Sequence, residues 1–291
     1  MKDRIDPLIA ERAPWLYATR PGTRLARGLL HKMLGYNKTI TIAERLEDAD
    51  SALIMQDMAE RLARMVTAKG FGNLPKHGPA LIVANHPTGI ADGIILNHLI
   101  AKSRPDAYFF ANRDILRVFP QMDDMIAPVE WRKELRSHGK TRETMAFVRQ
   151  ATEAGRLGVI FPSGRLAKRR WLSLHERPWM ASAAMLARKF DLPVIPVNIQ
   201  ARNSALFYLF DRIHPTLRDI TLFHETLNKD RQPFVVTMGE PISASAIPRD
   251  AEEGINMLRR ATLALGGEYA PVVNLIATTR PWLSKDASTA P

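Results

Sequence analysis

The sequence contains no cysteine. That absence excludes disulfides, iron–sulfur clusters and thiolate zinc sites, and leaves no thiol to carry a covalent intermediate. It suits a reducing compartment. Nowhere does an apolar run approach the roughly eighteen uninterrupted residues of a spanning helix. The opening Met1-Lys2-Asp3-Arg4 lacks the apolar stretch and cleavage site of a secretory signal. No G-x-S-x-G and no H-E-x-x-H occurs, which removes the common serine-hydrolase and zinc-protease readings. Gly139-Lys140-Thr141 looks like the end of a phosphate-binding loop. The upstream glycine is replaced by Glu134 and no strand precedes it, so that reading is rejected. Asp123-Asp124 reads as a solvated pair rather than a metal site. Internal repeats are absent, and low complexity is confined to the polar tail Ser284 to Pro291.

What is present begins with size and charge. A chain of 291 residues, 46% of them hydrophobic, can bury one large domain or two small ones. Lys and Arg outnumber Asp and Glu by 41 to 30, a net charge of +11. Such a surface attracts an anionic partner: nucleic acid, an anionic bilayer or a phosphorylated ligand.

Residues 1–48 read as a separate arm. Arg20, Arg24, Arg27, Lys32 and Lys38 lie there with no acid among them. On a helical wheel Leu25, Ala26, Leu29, Leu30, Met33 and Leu34 share one side, while Arg24, Arg27, His31 and Lys32 share the other. A basic amphipathic helix of this kind suits a membrane interface; it equally suits a surface helix packed on a core. Both readings stand at this point.

A helix is expected from Asp50/Ser51 to Lys69, closed by Gly70. Beyond it, candidate strands at 80–85, 106–111, 125–129, 157–161, 193–199 and 233–238 alternate with candidate helices at 92–103, 140–155, 177–190 and 250–265. This alternation predicts an α/β fold: a mostly parallel central sheet flanked by helices, preceded by the helical arm. The expected organisation is an arm over 1–48, a main domain over 49–270 and a tail over 271–291. Segment 203–230 reads either as a lid or as ordinary core.

Two strand ends carry chemistry, as expected of such sheets. The apolar run Leu81-Ile82-Val83-Ala84 leads into Asn85-His86-Pro87-Thr88-Gly89-Ile90-Ala91-Asp92. Six positions cannot place His86 and Asp92 on one helical face. The loop must therefore fold the imidazole back onto a carboxylate at the start of the next helix, the simplest arrangement for a general base. The second end is Phe161-Pro162-Ser163-Gly164-Arg165, followed by Lys168-Arg169-Arg170. A glycine turn and an Arg fork suit a phosphate; alone, the segment would be a solvated basic loop.

The order of these blocks, with Val194-Ile195-Pro196-Val197 after them, resembles the glycerolipid acyltransferase family, enzymes similar to lysophosphatidate acyltransferase with H-x-x-x-x-D and F-P-E-G-T-R blocks. The resemblance spans residues 70 to 240. Downstream, Arg202-Asn203-Ser204-Ala205-Leu206-Phe207, Ile213-His214-Pro215 and Leu217-Arg218 look like a bacterial hemolysin-like branch associated with lyso-ornithine and similar aminolipids. Two departures stand out. His86 and Asp92 are separated by five residues rather than four, and Ser163 replaces the Glu of the F-P-E-G block, with Thr-Arg reduced to Arg165. The second change bears on the acceptor more than on the chemistry. The remaining acceptor-binding Arg of the family aligns best with Arg132, after Ile126-Ala127-Pro128-Val129.

The resemblance implies acyl transfer from acyl carrier protein or coenzyme A to the hydroxyl of a lysolipid, either a lyso-aminolipid such as lyso-ornithine lipid or lysophosphatidate. His86 and Asp92 would be catalytic. Asn85, Thr88, Gly89, Arg132, Phe161, Pro162, Ser163, Gly164 and Arg165 would bind substrate, with backbone amides near Gly164 as candidate oxyanion donors. No metal or other cofactor is required. The expected location is peripheral, on an anionic membrane at the cytoplasmic face of the inner membrane. A non-catalytic lipid binder on the same fold would need neither His86 nor Asp92. Nucleic-acid binding is not expected, because the basic residues are not interleaved with aromatic stacking platforms and no reader motif is present.

Overall fold

The computed structural model describes residues 1–19, 21–130, 135, 137–171, 173–267 and 272–274. The expected helical arm consists of α1 (Lys2–Arg12), α2 (Thr23–Leu34) and α3 (Tyr36–Arg45). α2 stops at Gly35, whose left-handed backbone (φ +69) lets its N–H cap the carbonyls of His31 and Lys32. The apolar side of α2 is divided. Leu34 is buried and Leu30 partly so, packed with Ile5, Leu8, Ile9 and Ile40. Leu25 and Leu29 face outward, 79% and 66% exposed. The inner edge of the stripe thus packs on a core, as the surface-helix reading expects, while Leu25 and Leu29 on the outer edge stay exposed.

α4 (Ser51–Leu62) starts where expected, with Asp50 Oδ1 accepting the Leu53 N–H at 2.7 Å. It does not continue to Lys69. The chain turns at Ala63 and resumes as β1 (Val66–Lys69), a parallel edge strand against β9 (Phe234–Met238). β-branched Val66 and Thr67 favour that pairing over another helical turn. Gly70 ends it at φ +75, where any Cβ would collide with the Met238 carbonyl.

The remaining strands are β2 (Ala80–Ala84), β3 (Tyr108–Asn112), β4 (Ile126–Val129), β5 (Leu157–Ile160), β6 (Lys168–Arg170), β7 (Ser173–His175), β8 (Val194–Gln200) and β10 (Val272–Asn274). The remaining helices are α5 (Ile90–Ile100), α6 (Asp114–Val118), α7 (His138–Glu153), α8 (Ser182–Lys189), α9 (Ala205–Ile213), α10 (Pro215–Glu225) and α11 (Ala251–Ala264). The main sheet runs β1-β9-β8-β2-β5-β3-β4. It is parallel throughout except between β8 and β9. This is the mixed α/β fold, with a mostly parallel sheet flanked by helices, that the alternation predicts.

Both faces of the sheet are covered. Ile82 and Ala84 of β2 pack with Ile54, Met55, Ile94 and Ile95 from α4 and α5. Leu81 and Val83 pack on the opposite side with Val148, Ala183, Ala187 and Leu258 from α7, α8 and α11. A strand buried on both faces is apolar at every position, which is why β2 stands out in the sequence. β6, β7 and β10 form a separate small antiparallel sheet.

The arm docks on one end of this body. Its core includes Val118 of α6, Phe210 of α9 and Ile220 of α10. Arg12 pairs with Asp114 at 2.6 Å and Arg117 with Glu11 at 2.7 Å.

Candidate active site

β2 lies between β5 and β8, with Val83 opposite Ile160 on one side and Ala84 opposite Val197 on the other. Its carboxyl end therefore emerges in the middle of the sheet, beside the end of β5. Asn85, the first residue past the strand, stitches this end to β8. Its Nδ2 donates to the Ile199 carbonyl at 2.8 Å, and its Oδ1 accepts the Ile199 N–H at 2.7 Å. Expected at the substrate, Asn85 is buried with both ends of its amide engaged by backbone.

The loop then turns through Gly89 at φ +95, the residue preceding α5. Asp92 sits in the first turn of that helix, where the helix dipole favours a carboxylate. It is completely buried. Its Oδ2 accepts the N–H groups of Thr88 (2.8 Å) and Gly89 (2.9 Å), and its Oδ1 accepts the Thr88 hydroxyl. Thr88 is buried as well, so its side chain orients Asp92.

His86 Nδ1 lies 3.0 Å from Asp92 Oδ2. The contact is close but does not have the geometry of a directed hydrogen bond. With Nδ1 buried and the side chain one-fifth exposed, Nε2 is the nitrogen left to face a substrate. Phe161, from the end of β5, stacks on the imidazole at 4.3 Å between ring centroids. The adjacent strand ends thus bring the two sequence blocks together.

Ser163 is buried and its hydroxyl donates to the Arg165 carbonyl at 2.8 Å. Pro162 is buried and Arg165 is exposed at the rim. Gly164 adopts φ +57, and its N–H donates to the Phe161 carbonyl at 2.9 Å. That amide is engaged in the turn and is not free to serve as an oxyanion donor here. Arg132 lies outside the described residues.

Three features were missed by sequence reasoning. The first is Glu176, a buried carboxyl that accepts the His86 backbone N–H at 3.2 Å and the Trp179 indole N–H at 3.0 Å. The Ser163 side chain reaches the same group. Burial pushes its pKa above the usual carboxylate value, against the pull of those donors and of His86. Only an acid beside Arg177-Pro178-Trp179 marks it in the sequence. The second is the cover over the loop: a Cβ on Gly89 would meet Leu166 at 3.1 Å and Leu222 of α10 at 3.5 Å. Phe207 and Tyr208 of α9 pack with Leu174, Leu166 and Leu222. Segment 203–230 is therefore packed onto the site as a wall.

The third is a buried ion pair behind that wall. Lys229 Nζ lies 2.6 Å from Glu225 Oε2 and also donates to Asn203 Oδ1, Gln232 Oε1 and the Arg202 carbonyl. Both charged residues are nearly or fully buried. Burial acts to raise the Glu225 pKa, but Lys229 and Ser204 outweigh it and the net displacement is downward. The i, i+4 spacing on a helical pattern was the available signal.

The site contains what base-catalysed acyl transfer needs: an imidazole open at one nitrogen and a buried anion behind the other. Among the described residues no cluster of three or more His, Cys, Asp or Glu could hold a metal ion.

Residues 65–200 match the family model described as Acyltransferase. A protein of Bacteroides thetaiotaomicron named lyso-glycine lipid O-acyltransferase is 21% identical over 244 residues, covering 82% of this chain and 87% of the relative. A protein of the same name from Phocaeicola vulgatus is 24% identical over 189 residues, covering 63% and 66%. The crystal structure of the 1-acyl-sn-glycerophosphate acyltransferase PlsC from Thermotoga maritima aligns at TM-score 0.49 and 15% identity, covering 82% of this chain and 94% of that one.

Proposed function

We propose that this chain, which belongs to the glycerolipid acyltransferase family, transfers a fatty acyl chain from an acyl thioester to the free hydroxyl of a lyso-aminolipid. The observation that carries the reading is His86 held between Asp92 and Phe161 with one ring nitrogen turned outward.

The steps follow from that geometry. A hydroxyl is a poor nucleophile until it loses its proton. His86 Nε2 takes that proton as the oxygen attacks the thioester carbonyl, and Asp92 stabilises the imidazolium that forms. The tetrahedral intermediate collapses with cleavage of the carbon–sulfur bond. The departing thiolate takes the proton back from His86, leaving an ester and a free thiol. Every atom is accounted for without an acyl-enzyme.

An amino-acid headgroup is favoured over phosphate by two observations: both curated relatives are named for lyso-glycine lipid, and Ser163 replaces the acidic residue of the family block. Arg165 and Arg177, close enough to repel each other, would face an anionic headgroup or the phosphates of the donor. The exposed Leu25–Leu29 edge of α2, beside Arg24 and Lys32, would rest on the cytoplasmic face of an anionic bilayer, where such substrates reside. The net charge of +11 suits either acyl carrier protein or coenzyme A as donor carrier.

The test is acyl transfer by the purified protein in mixed vesicles. Long-chain acyl carrier protein and acyl coenzyme A would each be offered with lyso-glycine lipid, lyso-ornithine lipid and lysophosphatidate, beside His86→Ala. Product with an aminolipid, reduced about 10²–10⁴-fold in the variant, is expected. Product with lysophosphatidate alone would reject the aminolipid acceptor. No transfer with any pair would reject the activity.

A further inference from the structure

The hairpin of β6 and β7 carries Trp171 in its turn, at φ +56 and 93% exposed. Turns of this kind call for Asn or Gly, because a positive φ crowds any larger side chain. An indole in that backbone and in water is unfavourable on both counts. Strain of this kind persists where it serves a function.

The surroundings indicate which function. Lys168, Arg169 and Arg170 are all exposed on β6. Arg169 Nε donates to the Trp171 carbonyl at 2.7 Å, and its guanidinium lies 5.2 Å from the ring centroid of Tyr208 on α9, so the hairpin is braced. α9 exposes Leu209 and Ile213, four residues apart on one face. Just past it, Trp15 donates its indole N–H to Thr216 at 3.1 Å and is itself exposed. A chain of contacts thus runs from the hairpin along α9 to the arm, with apolar tips outward and cations beside them. Exposed indoles with flanking Lys and Arg are the composition of an interfacial surface on an anionic bilayer. A protein partner would instead be met by anchors gathered around one pocket.

We propose that the β6–β7 hairpin is a second bilayer contact, separate from α2, which places Trp171 among the headgroups of an anionic membrane. The base of the hairpin joins the catalytic loop directly, since the Ala167 N–H donates to the His86 carbonyl at 2.9 Å. Docking the tip would set the His86 loop a short distance above the lipid surface. The proposal rests on the lysolipid reading only for the purpose of docking; binding is measured without turnover.

The cysteine-free chain permits an unambiguous test. Trp171→Cys and, at the opposite end of the sheet, Lys76→Cys would each carry a polarity-sensitive fluorophore as the sole label. With phosphatidylglycerol–phosphatidylethanolamine vesicles containing nitroxide lipids, the label at 171 should shift to the blue and be quenched, while that at 76 should not change. Unlabelled Trp171→Ala should bind the vesicles roughly ten-fold more weakly, as loss of one buried aromatic implies. A label at 171 that stays in water on the vesicles, or a protein that ignores them, overturns the proposal. So does shielding by acidic acyl carrier protein but not by vesicles, which would assign the tip to protein docking. An inactive protein whose label is shielded refutes the lysolipid reading alone.

Discussion

Glu176 holds the backbone N–H of His86 at 3.2 Å, although ninety residues separate them in sequence. Its carboxyl is buried and its pKa raised by that burial. A raised acid stabilises the fold fully below the ordinary glutamate range and loses that contribution as pH rises through the folded value. Wild type should therefore lose thermal stability relative to Glu176→Gln as pH climbs above about 4.3. Thermal melting of the pair across pH checks it; a constant gap would show that Glu176 does not titrate there.

Asp92 is fixed by two backbone amides and one hydroxyl. Asp92→Asn can keep a carbonyl toward the two backbone amides only by turning its N–H₂ to the Thr88 hydroxyl, which must then accept instead of donate. It also removes the charge behind His86, so it should lose activity and about 1 kcal/mol of stability. Thr88→Val removes one donor and keeps the carboxylate. It should retain more turnover than Asp92→Asn. Rates and thermal midpoints of both variants decide this.

Lys229 and Glu225 form a buried pair. Lys229→Met leaves a carboxylate unpaired in the interior and should cost about 3–5 kcal/mol, whereas adding Glu225→Gln should recover much of the loss. Glu225 has a lowered pKa, so its stabilisation is present above the ordinary glutamate range and disappears as pH falls through the folded value. The double variant should accordingly show a flatter acid limb than wild type in denaturant titrations.

The divided stripe of α2 predicts two distinct phenotypes. Leu25→Glu with Leu29→Glu changes exposed positions and should weaken vesicle co-sedimentation with little change in thermal midpoint. Leu34→Glu buries a charge in the arm core and should lower the midpoint sharply.

Much of the main sheet was legible in the sequence because its central strands are buried on both faces and read as apolar runs. β1, β6 and β7 were not, for physical reasons. β1 is a short, largely exposed edge, and every residue of β6 is exposed, so no burial pattern marks them. The helical wheel could not separate the two edges of α2, because periodicity reports a direction and not what covers it. The proximity of His86, Asp92 and Phe161 was inferable from strand ends alone. Asn85 and Thr88 were expected at substrate, whereas their polar atoms hold Ile199 and Asp92. Nothing local in a sequence separates a ligand-facing amide from one that fastens a strand.

Because β2 and β5 are bonded neighbours in register from Ala80 opposite Leu157 to Val83 opposite Ile160, the loops leaving their ends share a fixed offset. The loop that carries His86 and the loop that carries Phe161 to Arg165 are thus two jaws mounted on one rigid plate. Phe161, Ala167 and Glu176 in that second loop touch His86 itself, whereas Arg165 is exposed, so substitution at Arg165 would change the rim while the imidazole keeps its supports. Under the proposed function, a change of acceptor would then come from the rim of one jaw while the shared plate holds the other still.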